Sequence, residues 1–302
     1  MNESDGDLQD SRVRLDYAKP CDTLAPFVFG YHLYAVEVAP GKVHEDIGYP
    51  SWANIRFQTI GGPFAVRIGH RQIDPVPRAT LFGPTSRAIF PRSGTGTVVG
   101  IGLTPLGWTR LFGGDADLHA DRVTPLEAML GDDAAMLSLA LDGVEEIDVA
   151  KAIFDHFLLQ RLRTPHRAEP MVADIQGALA VAADCSVSGL ARRLNLEPRR
   201  LARLARAHFG FSPKLLLRRA RFMRTLLKLM EDDGGPYVDK IDRSYHDQSH
   251  FVRDCKFFLS MSPRRFIKMK KPMHTESMVK RIVIVGAAVQ ALHPSGLELL
   301  DR

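Results

Sequence analysis

Apolar positions change their period about halfway along this chain. Between Pro26 and Leu103 they come in short or alternating runs rich in Val, Ile, Phe and Tyr: Phe27 to Val38, Ala53 to Ile60, Phe64 to Ile68, Ala79 to Phe82, Ala88 to Phe90 and Thr97 to Leu103. Such runs predict β-strands of a small barrel or sandwich. Pro40-Gly41, Gly61-Gly62-Pro63, Gly83-Pro84 and Ser93-Gly94 supply the turns between them. Ser11 to Cys21 reads as a leader into this domain. A strand ends at Thr104, and Pro105 suits the first turn of a helix through Leu111. Beyond it the period becomes helical, at about Pro125 to Met129, Asp132 to Leu141 and Val144 to Arg163. The last carries Val149, Ile153, Phe154, Phe157 and Leu158 as a stripe, flanked by Ile147 and Leu162, suited to packing on the strands or to pairing with a copy of itself.

Thr164 to Pro170, with two prolines and two basic residues, reads as a hinge. A helix from Met171 to Ala183 follows, then the most informative stretch of the chain. Leu190, Ala191 and Leu194 share a face of a short helix, and Asn195-Leu196-Glu197 breaks it. Pro198 opens a second helix whose stripe is Leu201, Leu204, Ala205 and Phe209. The outward positions are Arg199, Arg200, Arg203 and Arg206. Like charges at helical spacing repel by a few tenths of a kcal/mol per pair, so a polyanion is the natural partner of this face. Pro213 then opens a helix to about Met230, broken by Asp232-Asp233-Gly234-Gly235-Pro236. About 18 residues at about 1.5 Å each give a strut near 27 Å, long enough to hold two helices against one face of a duplex. A second unit of the same kind runs from Tyr245 to Pro263, with Gln248, Ser249, Arg253 and Lys256 outward and Phe251, Cys255 and Phe258 inward. Both are read as helix-turn-helix units.

Charge sharpens this division. The 302 residues carry a formal +5, yet Val187 to Lys271 holds 21 Lys and Arg against 8 Asp and Glu, an excess of 13. The remainder is therefore acidic by 8, and the positive field belongs to one domain, as in a nucleic-acid-binding module joined to a partner with another task. Cys21, Cys185 and Cys255 are odd in number and widely spaced, which argues against a disulfide framework or a zinc site and fits a reducing cytoplasm. Met1 to Asp10 is acidic and polar, unlike a secretory signal, and the apolar run Ile282 to Leu292 is too short to span a bilayer.

The run Phe209-Gly210-Phe211-Ser212-Pro213, with Leu201, Arg203, Arg221-Phe222 and above all Asp247-Gln248-Ser249-His250-Phe251-Val252-Arg253-Asp254 ahead of Ser262-Pro263, resembles the AraC/XylS-type transcription regulators. The resemblance covers about eighty residues. It implies a C-terminal all-α domain with two helix-turn-helix units that binds double-stranded DNA. It also implies an N-terminal cupin-like or jelly-roll-like β domain that senses a small molecule or dimerises. The chain departs from the family pattern in the second unit. Val238 to Ser244 replaces the usual first helix and its glycine, Ser260 stands where glycine usually ends the reading helix, and Cys255 replaces a core aromatic. A looser seat for that helix is the expectation.

Taken together these readings give an α+β multidomain chain: residues 1–163 a β-rich barrel or sandwich with flanking helices, 164–170 a linker, 171–271 the double helix-turn-helix domain and 272–302 an extension. Arg199, Arg200, Arg203, Gln248, Ser249 and Arg253 are the candidates for base edges, because Arg pairs bidentately with guanine and Gln with adenine. Arg206, Lys214, Lys256, Arg264 and Arg265 are the candidates for phosphates, the last two and Lys214 following Ser-Pro helix starts. Asp247 is expected to cap its helix. His32, His44 and His70 lack the close spacing of a cupin metal site, and no nucleophile-elbow, phosphate-loop or paired zinc-ligand motif occurs, so neither cofactor nor catalysis is expected. Lys280 to Ala288 imitates the start of a dinucleotide-binding unit without its glycine pattern, and a strand or short surface helix is expected there. The expected partners are double-stranded DNA, a small-molecule effector, RNA polymerase and a second copy of the chain, with no membrane. The competing reading is a cupin-like enzyme or small-molecule-binding protein whose helical domain does not bind DNA.

Overall fold

The computed structural model describes residues 11–181, 185–230 and 236–269. The tail from residue 270, with its Lys280 to Ala288 motif, and the break at 232–235 lie outside the described residues.

Among the described residues, ten strands form two antiparallel sheets. They are β1 (Ser11–Ala18), β2 (Val28–Val38), β3 (His44–Glu45), β4 (Asn54–Gly61), β5 (Ala65–Ile68), β6 (Arg71–Ile73), β7 (Ala79–Phe82), β8 (Ile89–Ser93), β9 (Gly96–Leu103) and β10 (Val123–Pro125). One sheet has the order β1-β2-β9-β4-β7-β10 and the other β3-β8-β5-β6. This is the β-rich domain that the alternating runs predict. The expected leader is a strand: β1 pairs along its whole length with β2, from Ser11 opposite Val38 to Ala18 opposite Tyr31. Its alternation of Val13, Leu15 and Tyr17 with Arg12, Arg14 and Asp16 suits an edge strand, where charge discourages pairing with other chains.

Helices α1 (Pro105–Phe112), α2 (Ala116–His119), α3 (Glu127–Leu130), α4 (Asp132–Ala140) and α5 (Ile147–Arg161) follow. Thr104 caps α1, its hydroxyl accepting from Gly107 N at 3.0 Å and donating to Pro26 O at 2.7 Å. The helix expected over Pro125 to Met129 begins instead at Glu127, because Val123–Pro125 pairs with β7. Helix α5 buries Ala150, Phe154 and Leu158 on the larger sheet beside Tyr31, Phe57 and Val99. Val149, expected in that stripe, faces solvent at 50 % exposure. Tyr31 fixes the helix on the sheet by donating to Asp155 Oδ1 at 2.6 Å.

The helical part comprises α6 (Glu169–Val181), α7 (Val187–Arg193), α8 (Pro198–Phe209), α9 (Pro213–Met230), α10 (Gln248–Leu259) and α11 (Pro263–Lys268). Helix α6 starts inside the segment read as a hinge, and its Glu169 pairs with Arg110 of α1. Two apolar cores hold these helices, and both include β-domain side chains. Phe29 and Trp52 join Val172, Leu190, Leu201 and Phe209 in one. Ile47, Tyr49 and Ala88 join Phe222, Phe251, Phe258 and Phe266 in the other. Among the described residues no helix is long and apolar enough to cross a membrane.

Candidate nucleic-acid interface

The first unit is built by local chemistry that its sequence announces. Ser186 caps α7, its hydroxyl accepting from Gly189 N at 3.0 Å. Asn195 takes a left-handed conformation at φ 51°, which a short polar side chain tolerates, and Leu196 N closes the turn onto Ala191 O at 2.9 Å. Pro198 occupies the first turn of α8, where a missing N–H costs nothing. Leu201, Ala205 and Phe209 are buried, whereas Arg199, Arg200, Arg203 and Arg206 are all exposed. None of the four makes an ion pair among the described residues, so each guanidinium is available to a ligand.

His208, which sequence reasoning passed over, lies on the same inner face and is buried. Its Nδ1 is hydrogen-bonded to Thr109 Oγ1 of α1 at 3.0 Å, and its ring centroid stands 6.0 Å from that of His166. Burial, with His166 adding to it, holds its pKa below the usual 6.5. Its spacing from Leu201, Ala205 and Phe209 marks it as inward-facing and was a usable signal.

Among the described residues the second unit shows no regular first helix, as Val238 to Ser244 foretold: residues 236–247 are turns and bends. Hydrogen bonds replace the helix. Thr225 Oγ1 accepts from Asp242 N at 3.1 Å, and Asp242 takes Arg224 Nε at 3.1 Å. Helix α10 is nevertheless firmly seated, contrary to expectation. Asp254 is wholly buried and accepts from Arg218 Nε at 2.7 Å and from the Tyr245 hydroxyl at 2.8 Å, with Arg221 Nη2 at 3.6 Å. Burial, with Asp254 beside it, pushes the Tyr245 phenol well above its ordinary range, so it stays a donor. Phe251, Cys255 and Phe258 face the core, and burial raises the Cys255 thiol, keeping it protonated. Asp247 caps the helix, accepting from His250 N at 2.6 Å.

Both reading helices end alike. Gly210 closes α8 at φ 81° and Ser260 closes α10 at φ 60°. Ser212 Oγ then accepts from Leu215 N at 3.4 Å, and Ser262 Oγ from Arg265 N at 3.3 Å, capping α9 and α11. Gln248, Ser249, Arg253, Lys256, Lys214, Arg264 and Arg265 are all exposed. Gln248 Nε2 donates to the Tyr237 hydroxyl and Arg253 Nε reaches Ser249 O at 3.4 Å, links a ligand can displace. Of the three histidines weighed for metal, His44 is buried and hydrogen-bonded to Ser11 Oγ at 3.0 Å, His32 is half-buried and His70 exposed. Among the described residues no three His, Cys, Asp or Glu side chains are grouped as metal ligands.

Residues 190–269 match a family model described as a helix-turn-helix domain. No curated protein sequence matches the chain. Among solved structures, ToxT from Vibrio cholerae is similar at 10% identity over 86% of this chain and 98% of its own, with a TM-score of 0.44. ToxT with a bound unsaturated fatty acid gives 12% identity over 86% and 96%, with a TM-score of 0.42. The AraC-like transcriptional activator CuxR gives 15% over 77% and 91%, with a TM-score of 0.26. With the match at 190–269 and two helices joined by one strut, this part of the chain is a helix-turn-helix domain.

Proposed function

We propose that the chain is a sequence-specific, double-stranded-DNA-binding transcription regulator. One observation carries this reading. Leu201, Ala205 and Phe209 of α8 and Phe251, Cys255 and Phe258 of α10 are buried, while Arg199, Arg200, Arg203, Arg206, Arg253 and Lys256 stay exposed on the outward faces. Excess charge without acidic partners on a rigidly seated helix suits the phosphates and guanine edges of a major groove. In this reading Arg199, Arg200, Arg203, Gln248, Ser249 and Arg253 meet bases. Arg206, Lys214, Lys256, Arg264 and Arg265 meet phosphates. The β domain answers a small-molecule effector and transmits its state through the cores it shares with the helices. Such a regulator works in the cytoplasm beside RNA polymerase, and a homodimer would double the sites it reads.

Titrating duplex binding against salt tests the proposal. Five phosphate contacts imply that log K falls with log salt at a slope of about −4 to −5. A flat salt dependence, or equal affinity for every duplex, refutes it.

A further inference from the structure

The loop between β7 and β8, Gly83 to Ala88, touches all three helices that carry or join the reading surface. At its start, Pro84 lies against Gly210 at the end of α8, where an added Cβ would meet Pro84 Cγ at 3.1 Å. In its middle, Thr85 O accepts from Arg219 Nη1 of α9 at 3.3 Å. At its end, Arg87 Nη1 donates to Phe257 O at 2.6 Å and Ala88 N donates to Phe258 O at 2.6 Å. Those carbonyls belong to the last turn of α10, where the helix itself offers them no donor. The Arg87 guanidinium also stands 3.7 Å over the Phe257 ring, which Arg218 of α9 approaches at 4.3 Å.

The loop is itself anchored. Asp121 accepts from Ser86 N at 2.6 Å and Ser86 Oγ at 2.7 Å, and Asp121 N donates to Pro84 O at 2.9 Å. Gly83 leaves no space for a side chain, since a Cβ there would lie 1.8 Å from His119 O. The middle arm is the weakest of the three. Arg219 is 1% exposed and stacks 3.7 Å over Trp52, but its Nε and Nη2 have no hydrogen-bond partner. On α10 the loop acts through Arg87, whose guanidinium both donates to Phe257 O and stacks on the Phe257 ring, with Ala88 N on the neighbouring carbonyl.

Within the helical part the two units are joined along α9, and outside this loop the β domain meets their cores through apolar side chains, Phe29 and Trp52 on one and Ile47 and Tyr49 on the other. Their apolar cores are separate clusters, with Leu215 of α9 packed against both. A single strut sets the length between two bodies but leaves rotation about it weakly restrained. A loop that touches the ends of both reading helices closes the triangle. We propose that Gly83 to Ala88 is a splint that fixes α10 relative to α8, so that the β domain sets which spacing between two DNA half-sites the chain accepts. Arg87 is then a positioning residue for DNA readout, without touching DNA. This inference rests on the DNA-binding reading and goes beyond it.

The test uses the full chain and duplexes carrying the two selected half-sites at the selected spacing, at one and two base pairs more or fewer, and singly. One base pair turns the second site by about 34°. The wild type is expected to lose about tenfold in affinity for a one-base-pair shift, since a rigid pair cannot follow it. Arg87→Ala is expected to bind each single half-site within about twofold of wild type while its spacing penalty drops to about threefold. Arg87→Lys, which keeps the charge but loses the planar stack, is read in the same way and decides the matter if the alanine variant does not fold. An unchanged spacing penalty overturns the inference. So does a loss on single half-sites as large as that on paired sites, which would make Arg87 a mere support of α10. If the wild type binds no duplex at all, the DNA-binding reading fails and the splint falls with it; wild-type binding with an unaltered variant penalty sinks the splint alone.

Discussion

Removing the Asp254 carboxylate should free α10 while leaving α8 in place. Asp254 is wholly buried and serves Arg218, Arg221 and the Tyr245 hydroxyl. Breaking a fully buried ion pair costs about 3–5 kcal/mol. Here the guanidinium side chains are 30% and 20% exposed, so water recovers part of their solvation and about 1–2 kcal/mol is the discounted figure. The buried tyrosine hydroxyl, left without its acceptor, adds about 1–2 kcal/mol. Asp254→Ala is therefore expected to cost about 2–4 kcal/mol, and Asp254→Asn, which keeps one acceptor, about 1–2 kcal/mol. A chain of two parts need not unfold in one step, so the assay is hydrogen exchange read peptide by peptide. Amides of residues 248–259 should exchange about 30- to 700-fold faster in Asp254→Ala, and those of residues 198–209 at nearly the wild-type rate. Less than threefold acceleration in α10, or equal acceleration in α8, would refute the reasoning.

Further outcomes follow from single sites. Ser260 holds a left-handed conformation at φ 60° that glycine adopts freely, so Ser260→Gly should stabilise the protein by about 0.5–1 kcal/mol, seen as slower exchange in α10. His208 titrates below 6.5 when folded, so the unfolded chain binds the extra proton first, and stability falls as pH drops below 6.5 until the folded pKa is passed. His119 and His250 are lowered likewise and act in the same sense, so His208→Gln should flatten the acid loss of melting temperature only in part. Arg203→Ala and Arg253→Ala should each cost about 1–3 kcal/mol of specific binding and relax discrimination at one base pair, because both helices are firmly seated. A loss spread equally over all sequences would make either residue a phosphate contact.

Much of this architecture is written in local pattern. The helix starts at Pro105, Pro198, Pro213 and Pro263 and the turn at Asn195 were legible because each rests on chemistry within a few residues. The β-strand nature of Ser11–Ala18 was present as alternation, but charges on every second residue resemble a solvated leader until its partner strand is known. His44–Glu45, Arg71–Ile73 and Val123–Pro125 are too short to show a period. The outward faces of α8 and α10 were predictable from helical spacing. The seating of α10 was not, because Asp254, Tyr245, Arg218 and Arg221 converge from separate segments. Arg87 and Arg219 gave no signal either: in α9 the buried Arg219 and half-exposed Arg218 are neighbours in a run of basic residues, and only the β domain tells them apart.

Selection of bound sites from a pool of random duplex DNA tests the central claim most directly. The account predicts a motif with two blocks of specified bases about one helical turn apart, one for each reading helix. Recovery of no enriched sequence would contradict it, and a single block would confine reading to one helix.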